Sequence, residues 1–386
     1  MSAVRLLAVG DILVDRPASS DAFEKAAPLL RQADLLFGNC EAVYADGVQQ
    51  APSASIPVIC EPENAKALGR AGFDVMSLAN NHTVDGGYEG LLQTLGLLRD
   101  QRIATCGAGA DVAEARTPAV LHHDGTAVAF LGYSCVYPAG YAAGEERPGV
   151  AAVRTHTVYA PSELDAFQSG GAPSSFTVVN PRDLQQVRDD IEAARARADV
   201  VVVSVHAGDG SQPAVLMDYE RDFARACIDA GATVVLGHHH HMLRGAELYH
   251  GGAILYGLGH FVFDVRDFES LVPARVLAGM REHAGEYGYW YREGYPLLPM
   301  HPEARMTVVA VCDLDAAGRP SIGVVPCVLT PEGQPVPLQA DQEEGSVVVD
   351  YLHGLNERAG LSSRWQLGDR TVGGFRVLDL VESPAH

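Results

Sequence analysis

The stretch Thr233-Val-Val-Leu-Gly-His-His-His-His241 joins a short apolar run to four consecutive histidines. The run Thr233–Leu236 is rich in β-branched residues and predicts a buried strand. The histidines begin after Gly237, at the carboxyl end of that strand. Because open α/β sheets bind ligands beyond the carboxyl ends of their strands, the stretch predicts a strand that delivers imidazoles to a site.

Four further apolar runs end in polar residues of the kinds that bind metals or transfer protons. The runs are Val4–Val9, Asp34–Phe37, Val75–Leu78 and Val200–Val205. The polar side chains behind them are Asp11, Asn39, Glu41, Asn80, Asn81, His82 and His206. One such residue alone is usually a turn or cap residue. Five clusters at equivalent strand ends instead predict one shared functional site.

Helical patterns lie between the apolar runs in the first two-thirds of the chain. Tyr88–Leu98 and Leu184–Arg197 place their apolar residues on one helical face. Ala22–Arg31, Ala65–Ala71 and Phe223–Asp229 have similar spacing. Strands that alternate with helices predict βα units around a largely parallel interior.

The pattern becomes antiparallel after residue 245. Ala246–Tyr249 and Ala253–Tyr256 flank a turn with two glycines, which is typical of a hairpin. Arg305–Val311 and Ser321–Val325 indicate a second hairpin. We expect these strands to complete a core of two sheets, followed by a helix over Ser346–Glu357.

Two segments fit neither pattern. Residues 138–181 are rich in Gly, Ala, Ser and Pro, and residues 264–302 are rich in aromatic side chains. Long irregular segments in compact domains are usually functional or mobile. We predict a catalytic domain over 1–330 with insertions at these two places, and a C-terminal extension, 331–386, that packs on the same domain.

Aromatic residues in and directly before the two insertions are candidates for binding a substrate. Tyr289 and Trp290 are expected to form an apolar wall for a peptide end, with Tyr137 and Tyr141 on the opposite side. Arg292 is expected to bind a C-terminal carboxylate. The aromatic alternation fits an ordinary strand equally well, and a single arginine is more often a solvated surface residue.

Composition excludes several classes of partner. The 386 residues carry a formal net charge of −21, whereas nucleic acids and anionic membranes bind basic surfaces. The first residues lack a signal-peptide pattern, and no apolar run reaches the roughly 18 residues of a membrane span. The seven cysteines form no CxxC pair, as is usual for reduced thiols. We expect a cytoplasmic protein that binds neither nucleic acid nor membrane, of undetermined oligomeric state.

Five short motifs resemble those of the CapA family of capsule and poly-γ-glutamate biosynthesis proteins. They are Val-Gly-Asp11, Gly-Asn-Cys-Glu41, Ala-Asn-Asn81-His82, Val-Ser-Val-His206 and Gly237-x-His239-x-His241. The resemblance covers about residues 4 to 264 and closes with Ile254–Asp264. The family is a branch of the calcineurin-like metallophosphoesterases. The resemblance therefore implies an α/β fold, a two-sheet β-sandwich flanked by helices in four αββα layers, with a metal site.

The sequence also departs from the family pattern. Phosphoesterases of this fold begin with Asp-x-His, and that histidine is a metal ligand, but Leu13 stands there in this chain. Ala207, His240 and His260 replace the usual tryptophan, proline and asparagine. A two-metal clamp for phosphoryl transfer needs both ions. The departures therefore favour an acid–base site with one cation over a phosphatase.

We predict one divalent metal ion at this site. Its expected ligands are Asp11, Glu41, Asn81, His206, His239 and His241. If some of the histidines transfer protons, the remaining ligands are mostly oxygen. Such a set favours Ca²⁺ or Mn²⁺, with Zn²⁺ as an alternative.

A chain of this family without a membrane anchor is similar to the lasso-peptide epimerases. The resemblance implies an enzyme that inverts the Cα of the C-terminal residue of a ribosomally made precursor peptide. Inversion needs groups that remove and return a proton near neutral pH, which suits histidine. The acid–base residues predicted here are Asp11, His82, Asp85, His206 and His239.

Two other functions stay open at this point. A metal-dependent hydrolase of a phosphoester or γ-glutamyl amide would use the same residues, although Leu13 weighs against it. A non-catalytic polymer-binding protein would not need His82, His206, His239 and His241. The epimerase is our first hypothesis and the hydrolase is the alternative.

Overall fold

The apolar runs form two facing sheets in the computed structural model of the chain. The structure describes residues 3–17, 21–161, 173–265, 268–282, 294, 295, 297, 301–315 and 320–383. The fold class predicted from the sequence is confirmed: a calcineurin-like metallophosphatase-type sandwich with flanking helices. Within the described ranges, no helix is both long enough and apolar enough to cross a membrane.

The strands have the following bounds. They are β1 (Val4–Leu13), β2 (Leu35–Cys40), β3 (Val43–Tyr44), β4 (Ile59–Cys60), β5 (Val75–Ser77), β6 (Ala104–Cys106), β7 (Ala108–Gly109), β8 (Ala119–His123), β9 (Thr126–Ser134), β10 (Gly149–Val150), β11 (Thr155–Pro161), β12 (Pro173–Val179), β13 (Val200–His206), β14 (Val234–His238), β15 (Ala246–Tyr249), β16 (Gly252–Leu255), β17 (His260–Phe263), β18 (Met306–Leu314), β19 (Ser321–Leu329), β20 (Pro335–Pro337), β21 (Ser363–Val372) and β22 (Phe375–Glu382).

The α-helices have the following bounds. They are α1 (Ala27–Leu30), α2 (Lys66–Ala71), α3 (Gly87–Asp100), α4 (Val112–Arg116), α5 (Pro181–Arg195), α6 (Asp218–Asp229), α7 (Phe268–Leu271), α8 (Ala274–Glu282) and α9 (Glu343–Arg358). Short 3₁₀ turns cover Pro62–Ala65 and Pro302–Arg305.

The larger sheet has the strand order β21-β22-β19-β18-β1-β2-β5-β6, with β17 beside β1 and β20 beside β19. The smaller sheet has the order β15-β16-β14-β13-β9-β8. Strands β1, β2, β5 and β6 run parallel. In the smaller sheet β9, β13, β14 and β16 also run parallel. The hairpins after residue 245 are antiparallel, as predicted.

Alternate residues of the central strands enter different hydrophobic cores. Val200 and Val202 of β13 lie in the core between the sheets. Val201 and Val203 lie in the core that β13 shares with helices α5 and α6. Successive side chains of a strand point to opposite faces, and here both faces are buried. This double burial explains why the strand sequence is an unbroken β-branched run.

Some elements differ from the sequence-based prediction. The helix predicted over Ala22–Arg31 is limited to α1, Ala27–Leu30, because Pro28 fits only the first turn of a helix. The segment 138–181 contains the hairpin β11–β12 in its described part. The segment 264–302 contains helices α7 and α8. Strands β20 to β22, from the predicted extension 331–386, belong to the larger sheet.

Candidate metal centre

Asp11 lies within β1 and not behind it, because β1 continues past the predicted end at Val9 to Leu13. The pairing of β1 changes register between Asp11 and Ile12, where β17 becomes its neighbour. Gly10 makes this approach possible, since a Cβ there would lie 1.7 Å from the carbonyl oxygen of Gly259. The backbone thereby places the fully buried Asp11 carboxylate beside β17.

Glu41 directly follows β2 and is also fully buried. Its Oε1 atom has no hydrogen-bond partner among the described residues. Three imidazole Nε2 atoms lie near it: those of His241 at 3.6 Å, His206 at 3.7 Å and His82 at 4.0 Å. Two ligand atoms about 2.1 Å from one cation lie roughly 3.0–3.6 Å apart. The His241 distance lies in this range and the His206 distance is just above it, so these two imidazoles are suited to share a cation with Glu41.

Asn39 orients both carboxylates. Its Nδ2 donates to Asp11 Oδ1 at 2.9 Å and to Glu41 Oε2 at 3.4 Å. Its Oδ1 accepts from Asn80 Nδ2 at 3.2 Å, and Asn80 also donates to the carbonyl of Cys40. Asn39 thus bonds one oxygen of each carboxylate, and Asn80 holds Asn39 in place.

His206, the last residue of β13, connects the two sheets. Its Nε2 lies 2.6 Å from Asn81 Oδ1 and 3.1 Å from His239 Nδ1. Asn81 follows β5 of the larger sheet, whereas His206 ends β13 and His239 follows β14 of the smaller one. The carboxyl ends of strands from both sheets therefore converge here, as the sequence pattern predicts.

The turn after β14 surrounds Asp11. His238 Nδ1 lies 3.2 Å from Asp11 Oδ1, and His241 Nδ1 lies 3.3 Å from Asp11 Oδ2. The backbone N–H of His239 donates to Asp11 Oδ2 at 3.3 Å. His239 and His241 have positive φ angles, +94° and +57°. Non-glycine residues rarely adopt this conformation, and it clusters at functional sites.

His82 and Asp85 form a dyad at the edge of the centre. His82 Nδ1 lies 2.8 Å from Asp85 Oδ2. Asp85 also accepts hydrogen bonds from the Tyr141 hydroxyl at 2.6 Å and the Val58 N–H at 2.7 Å. A carboxylate at Nδ1 favours the tautomer with its proton there, which leaves Nε2, 4.0 Å from Glu41 Oε1, as the acceptor. This arrangement is that of an oriented general base.

Burial and neighbouring charges shift the pKa values of the central groups. Burial, together with the Asp11 charge, raises the pKa of Glu41. Burial also acts to raise the pKa of Asp11, but hydrogen bonds with His238 and His241 hold that pKa well below its usual range. Burial and the neighbouring His241 lower the pKa of His239 to about 3.

Two more buried histidines at the centre have lowered pKa values. Burial and His239 lower the pKa of His206. Burial and His241 lower the pKa of His260 to about 3. Both ring nitrogens of His260 lack hydrogen-bond partners in the described structure. These imidazoles are therefore neutral at pH 7, which is the form that binds a metal ion.

Two groups of side chains present ligand atoms within 4.8 Å of one another. One group is Glu41, His206 and His239, and the other is Asp11, Glu41 and His241. Glu41 belongs to both. Carboxylates and neutral imidazoles are the donors that divalent transition metals prefer. The unpartnered Glu41 oxygen and this donor set fit a divalent metal ion.

The structure brings together most of the predicted site residues. Asp11, Glu41, Asn81, His82, Asp85, His206, His239 and His241 lie within one connected cluster. Tyr137 is half-buried, two residues beyond Cys135, whose N–H donates to the carbonyl of His206. Tyr289, Trp290 and Arg292 lie outside the described residues. Leu13 is 2% exposed and belongs to the hydrophobic core.

The structure also gives specific contacts to residues for which the sequence pattern predicted no particular partner. Asn39 holds the carboxylates, Tyr141 contacts Asp85, and His238 and His260 lie beside Asp11. Asn39 was among the predicted strand-end residues, and the Gly-Asn-Cys-Glu41 motif places its amide two residues before the carboxylate. No local pattern indicates the pairing of Tyr141 with Asp85, which are separated by 56 residues.

A two-sheet sandwich that gathers carboxylates and histidines at the carboxyl ends of its parallel strands defines a protein of the calcineurin-like metallophosphatase type. Residues 5–265 match the family model described as "Bacterial capsule synthesis protein PGA_cap". The chain belongs to this family, which confirms the resemblance found in its motifs.

Known relatives agree with this placement. The chain is 31% identical over 269 residues to "PGA biosynthesis protein CapA" of Bacillus subtilis (strain 168), covering 66% of this chain and 62% of that protein. It is 29% identical to "Capsule biosynthesis protein CapA" of Bacillus anthracis, covering 66% and 59%. It is 30% identical over 305 residues to "Uncharacterized protein y4sH" of Sinorhizobium fredii, covering 67% and 66%. The match thus spans less than two-thirds of each relative's length.

Proposed function

We propose that the chain is a metal-dependent peptide epimerase that inverts the Cα of a C-terminal residue in a ribosomally made precursor peptide. The observation that carries this proposal is the His82–Asp85 dyad beside a cluster of candidate metal ligands, with Leu13 in the hydrophobic core. A dyad next to one cation is suited to moving a proton. Without the Asp-x-His histidine, the centre lacks a ligand that a two-metal phosphatase uses.

The residues divide into ligands and proton-transfer groups. Asp11, Glu41, His206, His239 and His241 would hold the ion. The bound cation supplies positive charge that stabilises negative charge on a substrate carbonyl. The mixed set of carboxylates and imidazoles suits Mn²⁺ or Zn²⁺ better than Ca²⁺, which prefers oxygen ligands alone. We therefore propose Mn²⁺ as the resident ion.

His82 is the group that we assign to removal of the Cα proton. Its Nε2 lone pair accepts that proton, and Asp85 stabilises the resulting imidazolium through Nδ1–H. Tyr141 and the Val58 N–H keep Asp85 in place. Epimerisation then requires that a second acid, other than the five metal ligands, returns a proton to the opposite face of Cα. The reaction changes neither the length nor the composition of the peptide.

A metal-dependent hydrolase is the second candidate. The observation that favours it is membership of a family whose relatives carry the name of PGA biosynthesis. The same dyad could take a proton from a water molecule, whose oxygen then attacks a γ-glutamyl amide or a phosphoester. The substrate is then a polymer or its fragment, and its backbone is cut.

Exchange in D₂O separates the two functions. The Mn²⁺-loaded protein is incubated in D₂O with synthetic peptides that carry different C-terminal residues. Epimerisation places deuterium at one Cα and raises the mass by about one unit per exchange, with no cleavage. Chiral analysis of the hydrolysed peptide should then show the D-residue. Cleavage without Cα exchange would reject the epimerase and support the hydrolase.

The expected partner is therefore a peptide, with neither nucleic acid nor a membrane surface involved. The net charge of −21 makes an acidic polymer backbone a poor general ligand for the outer surface. We propose that the protein acts in the cytoplasm, where precursor peptides are made.

A further inference from the structure

The turn from His238 to His241 needs support from its surroundings. Two of its residues, His239 and His241, have the left-handed φ angles described above. A backbone of this kind persists only where neighbouring groups hold it. The support must come from inside the protein, because the imidazoles of His239 and His241 face the metal centre.

His240, which lies between them, makes an internal contact of the required kind. Its Nε2 lies 2.7 Å from Glu220 Oε1 in helix α6, and both side chains are buried. The other carboxylate oxygen of Glu220 accepts the N–H of Met217 at 2.7 Å, at the start of α6. The centre of the turn is thereby tied to the first turn of the helix.

The surroundings of this pair leave little room for another arrangement. Gly208 has a φ of +96°, and a Cβ there would lie 2.2 Å from His240 Nε2 and 2.6 Å from Glu220 Oε1. The buried Arg244 donates to the carbonyl oxygens of Asp209, Gln212 and Val215 at 3.0, 2.8 and 3.0 Å. Arg244 thus holds the loop 209–215 beside the pair through the backbone carbonyls of that loop.

We propose that Glu220 and His240 are positioning residues of the metal centre. Neither side chain belongs to the candidate ligand groups. Together they hold the strained turn so that His239 and His241 converge on Glu41 and Asp11. Without Glu220, the Nε2–H of His240 loses its buried acceptor, and the turn can relax towards ordinary φ angles. This role concerns the metal centre itself and is independent of which reaction the centre performs.

Metal affinity tests the role directly. Metal-free parent protein and Glu220→Ala are titrated with Mn²⁺ by calorimetry. Loss of a residue that orients metal ligands typically lowers affinity by about 10- to 100-fold. We expect a loss of this size for Glu220→Ala. His240→Ala should lose the same amount of Mn²⁺ affinity. If Glu220→Ala does not fold, His240→Ala serves as the test instead. Glu220→Gln keeps an acceptor for His240 and should restore most of the affinity.

Glu247→Ala is the matched control. Glu247 is as buried as Glu220, accepts Arg225 at 2.9 and 2.8 Å and Tyr256 at 2.6 Å, and makes no contact of these kinds with the turn. The Glu247→Ala variant should have a lower melting temperature but the same Mn²⁺ affinity as the parent protein. The double variant Glu220→Ala/His240→Ala should bind no more weakly than either single variant, because the pair acts as one unit. Parent-like affinity of Glu220→Ala, or an equal loss in Glu247→Ala, would overturn the proposal.

Discussion

At the scale of single residues, Asp85 is the position where the proposed base can be separated from the metal ligands. Asp85→Asn keeps the shape of the side chain and an acceptor for Val58, but it removes the charge that stabilises protonated His82. We expect deuterium exchange to fall about 100-fold or more, with Mn²⁺ affinity unchanged. His123→Asn, at a histidine in β8 near Asp34, is the control and should exchange like the parent. If Asp85→Asn lost Mn²⁺ affinity as strongly as deuterium exchange, the separation of the base from the metal ligands would be wrong.

Leu13 is the basis of our expectation that the centre binds one ion. We expect one Mn²⁺ per chain by elemental analysis, with weak or no hydrolysis of aryl phosphates, because Leu13 provides no ligand for a second ion. Leu13→His should raise phosphatase activity if its imidazole reaches the centre. Leu13→Met, which conserves an apolar side chain, should not. Two bound ions or robust phosphatase activity in the parent protein would refute the one-cation expectation.

The central groups were predictable because each stands at or just behind the end of an apolar run. This position alone predicts Asp11, His206 and the histidines after Gly237 as site residues from a single sequence. Glu220 could not, because its partner His240 lies in another element, and a glutamate in the first turn of an amphipathic helix is ordinary. Sequence patterns indicate which residues end a strand, but they do not indicate which distant helix packs against those residues.

At the scale of elements, the close approach of β1 to the segment between β16 and β17 depends on Gly10. Gly10→Ala places a Cβ 1.7 Å from the carbonyl of Gly259, so the two segments must separate. We expect a loss of at least about 3 kcal/mol in the free energy of unfolding, or failure to fold. Gly96→Ala in α3, where a Cβ meets nothing within 4 Å, should instead stabilise by up to about 1 kcal/mol. Urea unfolding measures both, and a mild Gly10→Ala would contradict the close approach.

Elements with a clear period were predicted well, and the exceptions have identifiable causes. Buried strands such as β13 and β14 have continuous β-branched runs. Helix α1 is shorter than its apolar spacing predicts because Pro28 restricts its start. The exposed hairpin β11–β12 has no buried face along most of its length, so its sequence lacks the alternation that marks a half-buried strand.

At the scale of the whole molecule, the buried histidines make stability depend on pH. His239 and His260 have pKa values of about 3 in the folded protein, below the ordinary 6.5. The unfolded chain therefore binds more protons between these values, and the free energy of unfolding of metal-free protein should fall as the pH drops from about 6.5 towards 3. Glu41, whose pKa is raised, acts in the opposite direction. The two histidines, joined by His206, should outweigh it.

Urea unfolding at pH 7.5 and pH 5 with a chelator present measures this dependence. Each such histidine contributes at most about 1.4 kcal/mol per pH unit. His260→Asn removes one of them and should flatten the dependence. A free energy of unfolding that is constant, or that rises towards pH 5, would contradict the burial of neutral imidazoles.

Metal binding should also stabilise the folded chain, because its ligands converge only after folding. Mn²⁺ at about 100 times its dissociation constant should add about 2.7 kcal/mol to the free energy of unfolding. The melting temperature should therefore rise with Mn²⁺ concentration and return after chelation. Asp11→Asn should lose most of this rise. An unchanged melting temperature in the parent protein would mean that no such centre forms.

The place of β1 in the larger sheet has a consequence for how the chain folds. Along its first half β1 pairs with β18, so that Val4 lies opposite Leu314, and farther along it pairs with β17. Contacts between such distant residues close long loops and slow folding. During synthesis, β1 leaves the ribosome hundreds of residues before this neighbour exists. The edge of β1 that pairs with β18 therefore stays unpaired until β18 has been made. The region that matches the family, 5–265, ends before β18, so this partner of β1 lies outside the matched region.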